Sequence, residues 1–210
     1  MVENLSEWRA ILNSRKKIVL LIGGILFVLS GLIVNNTVST YVDSVAGASV
    51  GDLILDNIPA YPITFLFFWV TLMFWISMII YHVIKPRELG FLLWGLGLLI
   101  FVRCFFISLT HLGPPENNLV IPEWLTYYSF NADLFFSGHV GAPFILALLV
   151  ENKWIKRLTL VYVLIMIFVV LFAHGHYSID IFASLFIAHS LSVLLLKIRP
   201  FFGETKIKRS

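Results

Sequence analysis

The stretch Leu171–His189, LFAHGHYSIDIFASLFIAH, sets two apolar runs against a short polar joint, HGHYSID at residues 174–180. Upstream the chain is apolar over Ile155–Ala173, and downstream over Ile179–Leu196. Each run is near the roughly 20 residues that cross a hydrocarbon core of about 30 Å. The stretch therefore reads as two membrane helices joined by a tight turn. Ionisable groups at membrane depth are costly and mark function more often than architecture. His174, His176 and Asp180 need a chemical reason to be here.

Working outward, four further runs have the same character: Ile18–Val34, Pro62–Ile84, Leu89–Leu109 and Leu134–Val150. The chain has 210 residues, 59% hydrophobic and 13% charged, with a mean hydropathy of +0.92. A soluble domain of this length cannot hide that much apolar surface. The expected fold is an all-α, polytopic, six-transmembrane-helix bundle with both termini cytoplasmic. Residues 1–17 are expected to form a cytoplasmic N-terminal segment, 18–196 the six-helix transmembrane domain that would carry any catalytic site, and 197–210 a basic cytoplasmic tail.

Charge sets the expected orientation. Of the 15 Lys and Arg, all but Arg103 fall before the first run, after the sixth, or in or just beside the second and fourth connections. The alternate connections carry Asp43, Asp52, Asp56, Glu116, Glu123 and Asp133 and no Lys or Arg. By the positive-inside rule these acidic loops are extracytoplasmic. The basic residues are dispersed over four segments, which excludes the clustered stripe of a nucleic-acid-binding surface. The single cysteine, Cys104, excludes an internal disulfide framework. Ile18–Val34 reads as a retained span, because the small residues Ala46–Ala48 lie too far beyond it for signal cleavage.

The Asn, Ser, Gly and Pro content of residues 35–62 reads as turn and loop, with LILDNI (53–58) as a short interfacial helix. The second acidic connection, residues 110–133, carries Pro-Pro and a Trp-Leu-Thr-Tyr-Tyr cluster suited to the membrane–water boundary. Glycines 90, 95 and 97 are expected to permit close helix packing.

This topology brings separated residues to one depth. Arg103 lies in the outer half of the third run. His139 opens the fourth at SGH (137–139), and His176 and Asp180 join the fifth and sixth. His176 and Asp180 are four apart, so on a helix they share a face. The carboxylate would fix the imidazole tautomer and leave the other ring nitrogen free to attack. His139 would be the general acid, and Arg103 would offer a planar fork to phosphate oxygens. Backbone N–H groups at Ser137 and Gly138 would add to an anion site. Together these suggest phosphoryl transfer through a phosphohistidine. His82 and His189 read as structural, while Asp133, His111, His174 and Tyr177 are expected to support the site from nearby.

These residues resemble a known family. DLFFSGHV (133–140) and HGHYSIDIF (174–182) look like the third and fourth signature motifs of the sphingomyelin synthases, a branch of the type 2 phosphatidic acid phosphatase superfamily. FVRCFFISLTHLGPP (101–115) resembles the second. The resemblance implies His176 as nucleophile, Asp180 as its orienter and His139 as acid and base. It implies a phospholipid headgroup donor such as phosphatidylcholine or phosphatidylethanolamine. The acceptor would be a lipid alcohol such as ceramide or diacylglycerol, or water. No cofactor, metal or obligate protein partner is implied. The chain departs from the superfamily's phosphatases in lacking their Lys and Arg-Pro pattern. It has Val169 and Val170 where they carry Ser-Arg, and Asn131 and Ala132 where animal members carry Cys-Gly.

Three rival readings follow from the same residues. A lipid phosphate phosphatase would use water as acceptor. A metal-dependent hydrolase would use His139, His174, His176 and Asp180 as ligands. A scramblase or lipid-binding scaffold would need no chemistry at all.

Overall fold

The computed structural model describes residues 2–116 and 133–202. Within them the chain is helical, without a strand: α1 (Val2–Leu12), α2 (Arg15–Ser44), α3 (Thr64–Ile84), α4 (Leu89–Ser108), α5 (Gly138–Leu149), α6 (Lys153–Phe172) and α7 (Ser178–Ile198). Short 3-10 turns lie at Leu55–Asn57, Pro86–Glu88 and Arg199–Phe202. Five helices, α2, α3, α4, α6 and α7, are long and apolar enough to cross a membrane.

The fourth expected span is different. In place of helix over Leu134–Val150, α5 has 12 residues, with Pro143 inside it. At 1.5 Å per residue it is about 18 Å long, short of the hydrocarbon core. It starts late because residues 133–137 are committed elsewhere. Phe135 has φ 75, and the backbone there bonds to Arg103 and Asp180. Non-helical backbone among apolar helices is tolerated where protein surrounds it, and α5 is packed by α4, α6 and α7. Val140, Ile145, Ala147 and Leu149 are fully buried.

The first connection also departs from expectation. Residues 35–44 continue α2, although their Asn, Thr and Ser content reads as a break. The polar side chains are satisfied without leaving the helix. Thr37 and Thr40 donate to the carbonyls of Ile33 and Asn36, while Asn35 and Ser39 reach partners on other elements. Tertiary pairing overrides local propensity here. Only Leu55–Asn57 of the expected LILDNI helix forms, as a single 3-10 turn. The Trp-Leu-Thr-Tyr-Tyr segment lies outside the described residues.

Helices α2 and α4 pack along their length, and glycine makes the approach possible. A Cβ on Gly97 would lie 2.5 Å from the Phe27 ring, and one on Gly24 2.9 Å from Leu93 Cβ. Gly95 instead admits the tip of Leu149 from α5. At the end remote from His176, Arg199 ties three elements together. It bonds Glu88 at 3.1 Å, Glu151 at 3.1 Å and the Leu149 carbonyl at 2.8 Å.

Candidate active site

The polar joint is built around the start of α7. Tyr177 is the residue before the helix, and Asp180 sits in its first turn. There a carboxylate both accepts orphan backbone N–H groups and sits in the favourable field of the helix N-terminus. Asp180 is fully buried. Its Oδ2 accepts the Tyr177 N–H at 3.1 Å and faces His176 Nδ1 at 3.0 Å. Its Oδ1 accepts the Phe135 N–H at 2.9 Å. An ionised carboxylate can only accept, so the proton of the His176–Asp180 bond sits on Nδ1 and the Nε2 lone pair is directed away. The expected pairing is present, but by a different route. His176 precedes α7, and the two residues meet across the helix cap instead of along a helix face.

His139 comes from the first turn of α5. Its ring centroid lies 6.5 Å from that of His176 and 4.5 Å from Phe67 on α3. The helix cap therefore aims one imidazole, and a second helix start brings the other beside it.

Arg103 does more than stand near this gap. On α4 and almost completely buried, it donates from Nε to the Phe136 carbonyl at 3.1 Å. One terminal nitrogen bonds the Asn35 side chain on α2. The other reaches the Asp133 carboxylate at 2.5 Å and its carbonyl at 3.2 Å. Asp133 also accepts from Ser39 at 3.4 Å. This cluster fixes residues 133–136, the segment whose next N–H groups meet Asp180. Besides Phe135, Ser137 donates its N–H to the Asp180 carbonyl at 3.3 Å. Arg103 thereby braces the orienting carboxylate from behind.

Ser137 precedes α5 but does not cap it with its side chain. Its hydroxyl is fully buried and, among the described residues, has no hydrogen-bond partner. Gly138 lies alongside Arg103, where a Cβ would sit 3.4 Å from Nε, an ordinary contact. The glycine demanded by packing is Gly141, whose Cβ would come within 2.8 Å of the Phe136 ring. His174 is buried with a left-handed φ of 51, and its Nε2 likewise has no partner among the described residues. Tyr177 is buried, and its hydroxyl donates to the Gly113 carbonyl at 2.9 Å while accepting the Val50 N–H at 3.0 Å. His111 is exposed, edge-on to Tyr41.

Four participants escaped the sequence reading: Asn35, Ser39, Asp52 and Phe67. Asn35 and Ser39 fall where the chain's composition suggests a loop. An Asn at the end of a long apolar run was a usable signal, because polar groups at that depth seek partners. Asp52 accepts the Ser178 N–H at 2.7 Å, and the N–H groups of Ile54 and Leu55 at 2.8 and 3.1 Å. Burial opposes its ionisation, but these donors outweigh burial and hold the carboxyl below its ordinary value of 3.8. A carboxyl with a lowered folded pKa stabilises the fold above its unfolded pKa and loses that contribution as pH falls through the folded value. The Tm gap between native protein and Asp52→Asn is thus expected to be constant near neutral pH and to shrink only in acid below 3.8. A gap that closed between neutral pH and mildly acidic pH would contradict this assignment.

Among the described residues, no group of three or more His, Cys, Asp or Glu is arranged to hold a metal ion. Both Asp180 oxygens are turned toward His176 and two backbone N–H groups. The arrangement is that of a multi-helix membrane protein with a carboxylate-oriented histidine facing a second histidine.

Residues 132–197 match the family model described as PAP2 superfamily C-terminal, a segment covering less than half of the chain. The match supports the PAP2 superfamily, whose members are typically phosphatases and phosphotransferases. It spans His139, His176 and Asp180 together. No curated protein matches the chain.

Proposed function

We propose that the protein is an integral-membrane lipid phosphotransferase. It moves a phosphocholine or phosphoethanolamine headgroup from a phospholipid to a lipid alcohol through a phosphohistidine on His176. The observation that carries this reading is the His176–Asp180 bond facing His139. Nε2 of His176 attacks the phosphorus, and the bond to the glycerol oxygen breaks. Protonated His139 gives its proton to that oxygen, releasing diacylglycerol. Neutral His139 then takes the proton of the acceptor hydroxyl, whose oxygen attacks the phosphohistidine and restores His176. The first N–H groups of α5, at Gly138 and His139, hold the phosphate oxygens, the Ser137 N–H being committed to the Asp180 carbonyl. Arg103 adds its positive charge while its donors hold the 133–136 segment. The distribution of basic residues supports a site on the extracytoplasmic side, with both termini cytoplasmic and six passes counting α5.

A groove supports a lipid as substrate. Trp69, Met73, Ser77 and Tyr81 of α3, with Leu158 and Tyr162 of α6, line an apolar cavity of about 460 Å³. Phe74 stacks on Tyr162 at its floor, with ring centroids 4.0 Å apart. Phe67, which contacts His139, precedes Trp69 by two residues on α3, so the Trp69 end of the groove lies near the depth of the site. Ser77→Trp is expected to lower kcat/KM for long-chain phospholipids by about tenfold and to spare short-chain ones. Equal losses on both would remove the acyl chain from the groove.

The deciding experiment uses purified protein in liposomes with headgroup-labelled phosphatidylcholine or phosphatidylethanolamine, with and without ceramide or diacylglycerol. Label transferred to an added lipid alcohol by the native protein supports the proposal. The superfamily match gives a second reading, hydrolysis with water as acceptor, which predicts released phosphate or phosphorylated headgroup whatever alcohol is present. Lipid movement without either product would favour a scramblase or scaffold.

A further inference from the structure

Residues 45–61, between α2 and α3, form no long helix, yet they grip the nucleophile's own turn on both sides. On one side the Tyr61 N–H donates to the Phe172 carbonyl, the last residue of α6, at 2.7 Å. On the other, Asp52 accepts the N–H of Ser178, the first residue of α7, at 2.7 Å. Between these points the Val50 N–H reaches the Tyr177 hydroxyl at 3.0 Å. The strap is itself anchored. Asp52 and Asp56 exchange bonds, with the Asp52 N–H on the Asp56 carboxylate at 3.0 Å and the Asp56 N–H on the Asp52 carbonyl at 2.8 Å. Gly47 and Gly113 lie back to back, bonding His111 and Ala48 carbonyls, and a Cβ on Gly113 would fall 2.3 Å from the Gly47 oxygen.

The turn being gripped is strained. His174 holds a left-handed φ of 51, a conformation that L-residues with a side chain adopt only when their surroundings over-determine it. The turn's own bonds are few: the His174 and Gly175 N–H groups return to Leu171 and Val170. Asp180 holds the imidazole of His176 and, of the backbone that delivers it, the Tyr177 N–H. That backbone is fixed where α7 begins, at Tyr177 and Ser178, and Asp52 is the side chain that caps it from a distant loop.

We propose that Asp52 is a positioning residue for His176, acting as a helix cap supplied to α7 by the strap. This rests on His176 being the nucleophile. A carboxylate is specifically required, because Oδ1 serves Ile54 and Leu55 while Oδ2 serves Ser178. An amide would turn an NH2 group toward one of these donors.

The test is histidine-selective NMR of the full chain in lipid nanodiscs, run beside turnover measurements. In Asp52→Ala and Asp52→Asn the ring signals of His176 are expected to shift or broaden, while those of His82 and His189, remote from the turn, remain in place. Turnover on labelled phospholipid is expected to fall about 100-fold in kcat with little change in KM, the cost of a misplaced reacting group. Tyr177→Phe, which removes only the hydroxyl holding Val50 and Gly113, is expected to move His176 in the same sense and carries the test if the Asp52 variants lose the His82 and His189 signals. His176 signals identical to the native protein in folded Asp52 and Tyr177 variants would overturn the proposal. A native protein inactive on every phospholipid would defeat the functional reading instead, leaving the NMR result to decide the role of Asp52.

Discussion

His176→Ala is expected to lower phospholipid turnover by roughly 10⁵- to 10⁶-fold, the scale seen when a covalent nucleophile is removed. Among the described residues, no other group is placed to do this work. Nε2 of His176 is the ring nitrogen left open once Nδ1 is committed to Asp180 at 3.0 Å, and His139 faces it at a ring separation of 6.5 Å. Without the imidazole no phosphoenzyme forms, so both half-reactions stop together. The protein should still fold, because His176 contributes one side-chain bond to a carboxylate that keeps its two backbone partners. Trapping of ³²P from labelled substrate on the native protein, lost in the alanine variant, is the direct check. A variant retaining more than a few per cent of native turnover would rule out phosphohistidine chemistry at this position.

Asp180→Asn is expected to lower turnover by about 10⁴-fold, the order found when an orienting carboxylate becomes an amide. The reason is the tautomer. The carboxylate accepts from Nδ1, whereas the amide nitrogen would donate to it and move the ring proton onto Nε2, where the attack must begin. The same change has a structural cost. Oδ1 receives Phe135 and Oδ2 receives both Tyr177 and His176; an amide leaves one buried N–H unmatched. Each such loss costs about 1–3 kcal/mol. The variant is therefore expected to melt earlier than His176→Ala, although its residual turnover is higher. Equal activity of Asp180→Asn and native protein would remove Asp180 from the orienting role.

These two expectations separate residues that a simple loss-of-function screen would merge. In the proposed reaction His176 is needed for bond making and little for the fold. Asp180 serves both, because one carboxylate completes the cap of α7, holds the start of the α5 segment and aims the imidazole. Arg103 belongs further back. Its bonds to Asn35, Asp133 and the Phe136 carbonyl hold the segment that delivers Phe135 to Asp180.

Much of the molecule was legible in the chain. Apolar runs near spanning length mark α3, α4, α6 and α7 within two residues at each end. The polar joint at 174–180 announced itself because ionisable side chains are costly beside apolar helices. What misled was local composition. Residues 35–44 look like a loop, yet are helical because Asn35 and Ser39 find partners on α4 and at Asp133. Residues 134–137 look like helix, yet are not, because Arg103 and Asp180 take their backbone groups.

A helical membrane protein and the pairing of His176 with Asp180 can be read from the chain alone. Hydrophobic length and a four-residue separation are local quantities, readable without knowing what packs against what. That this pair meets across a helix cap, that Arg103 is engaged by Asp133 and Asn35, and that Asp52 caps α7 from more than a hundred residues away emerge only from the packed helices. Hydrogen bonds act over about 3 Å, so no feature of the separate segments specifies such a bond until the helices have brought them together.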